Sequence, residues 1–253
     1  MDLISQTDKV KFKVARFPIS NENISNQEAI ITGSDYTHIV KVLRLKPGDQ
    51  VLLFDETSVE HVGKIVGINK VEIRVQILAS TKVNVESDAK ITLLQGIPKG
   101  GKMDFIIEKA TELGVTSIVP VVTERSQVRE TNKALRWQRI AMESSKQCGR
   151  VTAPKIHEVA RFDDCGIHCR GGDLKLIFYE HCRTKLSDYL KTVSHPATNV
   201  IIFIGPEGGF SECEISLAAE WGFSPIGLGP RILRTETASV VAVAIIQHIF
   251  GDV

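Results

Sequence analysis

The chain has 253 residues, long enough for one large domain or two smaller ones. Hydrophobic residues make up 43% and charged residues 24%, an ordinary globular balance, and the formal net charge is only +1. Overall charge therefore supplies no reason to bind a polyanion, leaving that to local patches. The N-terminal residues hold no apolar stretch of signal-peptide length, and no run approaches the length of a membrane span. Five irregularly spaced cysteines suit a reduced compartment, so a cytoplasmic protein is expected.

Residues 1 to about 80 read as β-rich. KFKVARF, QVLLFDE, EHVGKIVGI and KVEIRVQIL alternate apolar and polar side chains or are dense in Val and Ile, with turn signals between them. SDYTHIVKVLRL is the one helical piece, with Ser34 or Asp35 as its N-cap. Short strands around one helix predict a small barrel or sandwich. The polar segment 81–89 is the expected linker, which divides the chain into residues 1–84 and 85–253. Beyond it the rhythm changes. ITLLQGI, VTSIVPVVT, LKLIFYE, VIIFIG and SPIGLG read as strands, and four helical patterns lie among them, ending with TASVVAVAIIQHIFG. Strands alternating with helices predict a parallel α/β sheet.

Two polar strand-end loops stand out in that second part. In GPEGGFSECE, Gly205, Gly208 and Gly209 permit a tight turn, and Ser211 with Glu214 forms a capping box for the next helix. The loop is neither a dinucleotide fingerprint nor a Walker loop, and Glu207 would repel phosphate. A carboxylate there suits a ligand with cationic or donor groups. The second loop, GPRILRTETA, carries Ile232 and Leu233, which can sandwich a flat ring, and Arg231 and Arg234 as fixed donors. Thr235 or Thr237 can cap the last helix.

IGPEGGFS followed by LGPRILRTETA resembles the signature of the SPOUT-class RNA methyltransferases, and of the RsmE family in particular. Residues 38–49, 93–115, 120–128 and 136–154 carry matching pieces in the same order, whereas 156–198 carry little of the likeness. The resemblance implies a PUA-like β-barrel followed by a SPOUT α/β domain with a C-terminal deep trefoil knot. It implies methylation of N3 of uridine 1498 in 16S ribosomal RNA, in the assembled small subunit, by a homodimer using S-adenosylmethionine. The rival functions are a SPOUT enzyme acting on another RNA and a non-catalytic RNA-binding protein of the same fold.

Carried over by position, Gly205, Glu207 and Gly208 belong to one cofactor loop, and Leu228, Gly229, Ile232, Leu233, Thr235 and Ala238 to the other. Leu93 and Gly96, near the first strand end, complete the expected cofactor contacts. Arg125 and Arg234 are the expected catalytic cations, stabilising charge on the uridine imide. No residue identifies itself as the base. Arg16, Lys41, Arg44, Lys99, Lys102, Arg136, Arg139 and Arg150 are the expected RNA contacts. Cys165, His168, Cys169, His181 and Cys182 do not follow a recognisable zinc spacing, and no metal is expected.

Overall fold

The structure, a computed structural model, describes residues 14–55, 57, 59–83, 85–129, 131–193 and 197–253. The chain forms two compact units that divide between Val85 and Glu86.

In the first unit β1 (Arg16–Pro18), β2 (Ile24–Ser25), β3 (Glu28–Ile31), β4 (Gln50–Phe54), β5 (Val59–Ile68) and β6 (Ile73–Lys82) form one sheet, ordered β1-β4-β5-β6-β3-β2. β1 pairs parallel with β4, and the other pairs are antiparallel. Residues 11–13 of the expected first strand lie outside the described residues, as does Asn84 of the expected linker. β6 runs on to Lys82, so the first two residues of that linker belong to the sheet. The expected helix begins as α1 (Gly33–Thr37) and continues as a π-helical turn, His38–Leu43. Its N-cap is Thr32, without a side-chain cap bond; Ser34 and Asp35 already lie inside the helix. The turn closes on Arg44, whose φ of 55° is left-handed, and Leu45 N donates to Ile39 O at 3.1 Å. Phe17, Ile39, Leu53, Ile65, Ile73 and Val75 fill the core of this unit.

The second unit contains β7 (Lys90–Gly96), α2 (Lys102–Glu112), β8 (Ser117–Val122), α3 (Ala134–Cys148), β9 (Lys155–Ile156) and β10 (Ala160–Arg161). A 3-10 segment, Phe162–Cys169, leads to β11 (Leu174–Phe178) and α4 (Leu186–Leu190). β12 (Asn199–Ile204), α5 (Glu212–Glu220), β13 (Ser224–Ile226) and α6 (Thr235–Phe250) complete it. Every pair in its sheet is parallel, ordered β10-β8-β7-β12-β11-β13, with β9 also on β8. β12 is central and apolar on both sides, as a doubly covered parallel strand must be. Its Val200, Ile202 and Ile204 join the core with α2, α3 and α6, while Ile201 and Phe203 face the 3-10 segment and α5. Ser211 and Glu214 make the capping box at α5. α6 has Arg234 as its N-cap, without a side-chain bond; Thr235 is its first residue rather than its cap. No helix among the described residues is long and apolar enough to cross a membrane.

A candidate ligand site at the strand ends

In the second sheet β8, β9 and β10 lie on one side of β7, and β12, β11 and β13 on the other. A parallel sheet that reverses its strand order leaves a crevice beyond the carboxyl ends of its strands. Such a crevice is present on the β12–β11–β13 side, as a cavity of about 440 Å³, a size that suits a small-molecule ligand. Its walls include Ile204 to Glu207 after β12, Phe178 to Glu180 at the end of β11, and Gly227 to Thr235 after β13. Lys99, Lys102, Gly209 and Ala238 complete them.

The two loops are fastened by buried hydrogen bonds. Thr235 Oγ1 donates to Gly205 O at 2.6 Å, and the wholly buried Gln95 side chain donates to Thr235 Oγ1 at 3.1 Å and to Gly96 O at 2.9 Å. Ser239 Oγ donates to Gln95 Oε1 at 2.5 Å. The first turn of α6 is thus tied to the ends of β7 and β12. The second loop is held from its other end, where Gly227 N donates to Thr184 O at 2.9 Å. A Cβ at Gly227 would stand 2.5 Å from Cys182 O, so only glycine fits there.

Glu207 meets a cation of its own chain rather than being left for a ligand. Lys102 Nζ is 2.7 Å from Glu207 Oε1, Lys99 N donates to Glu207 Oε2 at 3.3 Å, and Lys102 Nζ lies 3.8 Å from Glu236 Oε2. Burial pushes the Glu207 carboxyl up, but the Lys102 hydrogen bond, backbone donors and the ammonium charge together hold it below its ordinary range. The same hydrogen bond raises Lys102.

Gly205, Glu207, Leu228, Gly229, Ile232, Leu233, Thr235 and Ala238 all line the cavity, as does Arg234. Leu93, Gly96 and Gly208 do not. Leu93 is fully buried in the core. Gly96 is the floor beneath Pro206, with no room for a Cβ. Gly208 faces outward against Arg125, whose Nη1 donates to Gly208 O at 3.2 Å. Arg125 therefore lies beside the first loop without lining the cavity. Ile232 is 83% exposed, so it borders the cavity without being enclosed. Phe178, Tyr179 and Glu180 are the wall residues that the sequence did not point to.

The basic residues are more fully engaged than their density suggests. Arg150, expected at an RNA surface, is 4% exposed and forms an ion pair with Glu86 at 2.6 Å. Its Nη1 also donates to Thr111 O and Val115 O. It is an internal strut. Arg16 is likewise drawn in, pairing with Glu60 at 2.6 Å with its guanidinium 4.1 Å from the Phe54 ring centre. Arg136 pairs with Asp104, which also accepts Trp137 Nε1. Lys41, Arg44, Lys99 and Arg139 are exposed. Cys165 and Cys169 are buried, and burial raises both thiols, Cys169 to about 11. Among the described residues no three His, Cys, Asp or Glu side chains gather as a metal site.

Chemically, the cavity offers apolar side chains, turned backbone and a rim of exposed Arg231 and Arg234. That combination suits a ligand with a flat ring and a short charged tail.

The family model described as RNA methyltransferase domain matches residues 85–247, and one described as RNA methyltransferase PUA domain matches residues 31–78. The chain is 36% identical over 245 residues to the ribosomal RNA small subunit methyltransferase E of Buchnera aphidicola from Acyrthosiphon pisum, covering 95% of each chain. The Bacillus subtilis protein of that name is 32% identical, over 86% of this chain and 89% of its own. A Neisseria gonorrhoeae ribosomal RNA small subunit methyltransferase E, solved bound to S-adenosylmethionine, is 35% identical with a TM-score of 0.84, covering 94% of this chain and 99% of its own. A Legionella pneumophila protein, solved in complex with the bound cofactor SAM, has a TM-score of 0.86 at 35% identity, over 96% and 100%.

Proposed function

The chain belongs to the RNA methyltransferase family that includes the ribosomal RNA small subunit methyltransferases E, and from that premise we propose that it transfers a methyl group from S-adenosylmethionine to N3 of uridine 1498 in 16S ribosomal RNA. The observation that carries this reading is the cavity between the two fastened loops, at the carboxyl ends of parallel strands. Its residues fit the cofactor. Leu228, Leu233 and Ala238 supply apolar walls for a purine, and Gly205 and Gly229 let backbone approach closely.

When bound, S-adenosylmethionine supplies an electrophilic methyl group on a sulfonium. The protein's share is to orient, to exclude water and to stabilise charge. The uridine imide must lose its N3 proton, and the charge left behind spreads over N3, O2 and O4. We assign Arg234, on the cavity wall, and Arg125, beside the first loop, to that charge. Lys102 and Glu207 neutralise one another and fix the turn between them. Exposed Lys41, Arg44, Lys99 and Arg139 are assigned to phosphate contacts.

The reading includes a deep trefoil knot, which the likeness to the family implies. It also includes a homodimer acting on the assembled small subunit in the cytoplasm. The test is tritium transfer from S-adenosylmethionine onto unmethylated small subunits, with primer extension to locate the mark. A mark elsewhere, or none, refutes the assignment. Arg125→Ala is expected to leave cofactor affinity nearly intact and cripple transfer. An equal loss of cofactor affinity in titration calorimetry would remove Arg125 from its role.

A further inference from the structure

The cavity wall contains two carboxylates, Glu207 and Glu180, and they differ in what neutralises them. Glu207 is held by Lys102 and by Lys99 N. Glu180 follows β11, with its side chain 27% exposed, and among the described residues the basic group in reach of it is His181, at 3.9 Å and itself largely exposed.

Glu180 nonetheless packs against the first loop. Its carboxylate occupies the space where a Cβ of Gly209 would stand, and Gly209 has a φ of 66°. The left-handed backbone favours glycine there, and the flexible carboxylate would have to give way to a larger residue. The carboxylate therefore lies against the turn of the first loop, at the cavity. A carboxylate on the cavity wall that no lysine or arginine among the described residues pairs with is open to a ligand that brings positive charge. The cations of the second loop, Arg231 and Arg234, are exposed. The wall thus offers an acidic point at Glu180 and a basic rim at the second loop.

We propose that Glu180 meets a cationic centre of the cofactor, its sulfonium or its α-ammonium, and so makes the cavity prefer the charged ligand over uncharged adenosine thioethers. This rests on the reading above that the cavity takes S-adenosylmethionine. The acidic point receives the positive centre, and the basic rim is left for the ligand's carboxylate and for RNA.

Glu180→Gln removes the charge and keeps the shape that packs on Gly209. Titration calorimetry of wild type and variant with three probes tests the proposal. S-adenosylmethionine carries both cationic centres, S-adenosylhomocysteine only the ammonium, and 5′-methylthioadenosine neither. The variant is expected to lose at least about tenfold in affinity for S-adenosylmethionine and to hold methylthioadenosine within about twofold. A matching loss for S-adenosylhomocysteine assigns Glu180 to the ammonium, and a loss confined to S-adenosylmethionine assigns it to the sulfonium; both support the proposal. Equal losses for all three probes, or no loss for any, overturn it. A wild-type protein that binds none of the three refutes the cofactor assignment itself, and this inference with it.

Discussion

Gly96 lines no part of the cavity, yet substituting it should damage the site. A Cβ built there stands 2.5 Å from both Pro206 Cδ and Pro206 N, and 2.9 Å from Gly205 C. Ordinary contact begins at 3.4 Å, so the backbone of Gly205 and Pro206 would have to retreat by about 0.9 Å. That backbone is not free to move, since Gly205 O accepts the 2.6 Å bond from Thr235 Oγ1. Overpacking of this kind costs about 1–3 kcal/mol, and loss of the buried bond adds about 1 kcal/mol. Gly96→Ala should therefore lower the melting midpoint by roughly 5–15 °C and weaken S-adenosylmethionine binding by more than about tenfold. Gly101→Ala is the control: nothing lies within 4 Å of its Cβ position, and its φ of −92° suits any residue. Calorimetric melting and titration of the two variants check this. If Gly96→Ala melts and binds like wild type, the floor does not hold the first loop and the reasoning fails.

Two further outcomes follow from groups away from the cavity. Arg150→Met leaves Glu86 without its cation and takes a donor from Thr111 O and Val115 O, and should cost about 3–5 kcal/mol in urea unfolding; the salt dependence of RNA binding should be unchanged, and a shallower slope would return Arg150 to the RNA surface. His157 and His168 stack edge to face with ring centres 4.9 Å apart, and burial foremost, then the neighbouring charges of Lys155 and, for His157, of His168, hold both below the ordinary histidine value. With the folded values depressed, the unfolded chain binds more protons, so their stabilisation is complete above about pH 6.5 and is lost as pH falls through the lower folded values. Melting of wild type should drop over that acidic range more steeply than melting of the His157→Gln, His168→Gln double variant; parallel curves would refute it.

The alternation of strands and helices in the second unit was legible because β12 and its neighbours are apolar on both faces and the helices on one. Ser211 and Glu214 announced their helix because a capping box is a local device, complete within four residues. What escaped was non-local. Tyr179 and Glu180 reach the cavity because Ile177 pairs with Phe203 and Phe178 with Ile226, and no residue near position 180 signals those partners. Arg150 looked like one more charge on a basic helix end, while its partner, Glu86, lies 64 positions earlier. The likeness to a family put Gly96 and Gly208 among the cofactor contacts, but neither lines the cavity: one supports the first loop from below and the other bears on Arg125. Glu207 was legible as a carboxylate in a turn; Lys102, its partner across 105 positions, was not.

The anchoring of α6 has a consequence for the order of events during synthesis. Thr235 and Ser239 at one end of that helix secure the floor of the cavity, and Gln247 at the other accepts Ser87 Oγ at 2.7 Å and donates to Leu113 O at 2.9 Å. α6 is made after every other element of the unit. A nascent chain that has already paired its parallel strands therefore has no finished pocket until its last helix is in place. Completion of the site is therefore expected to wait on packing of the final helix, and refolding followed by cofactor capture should reveal a lag set by that step.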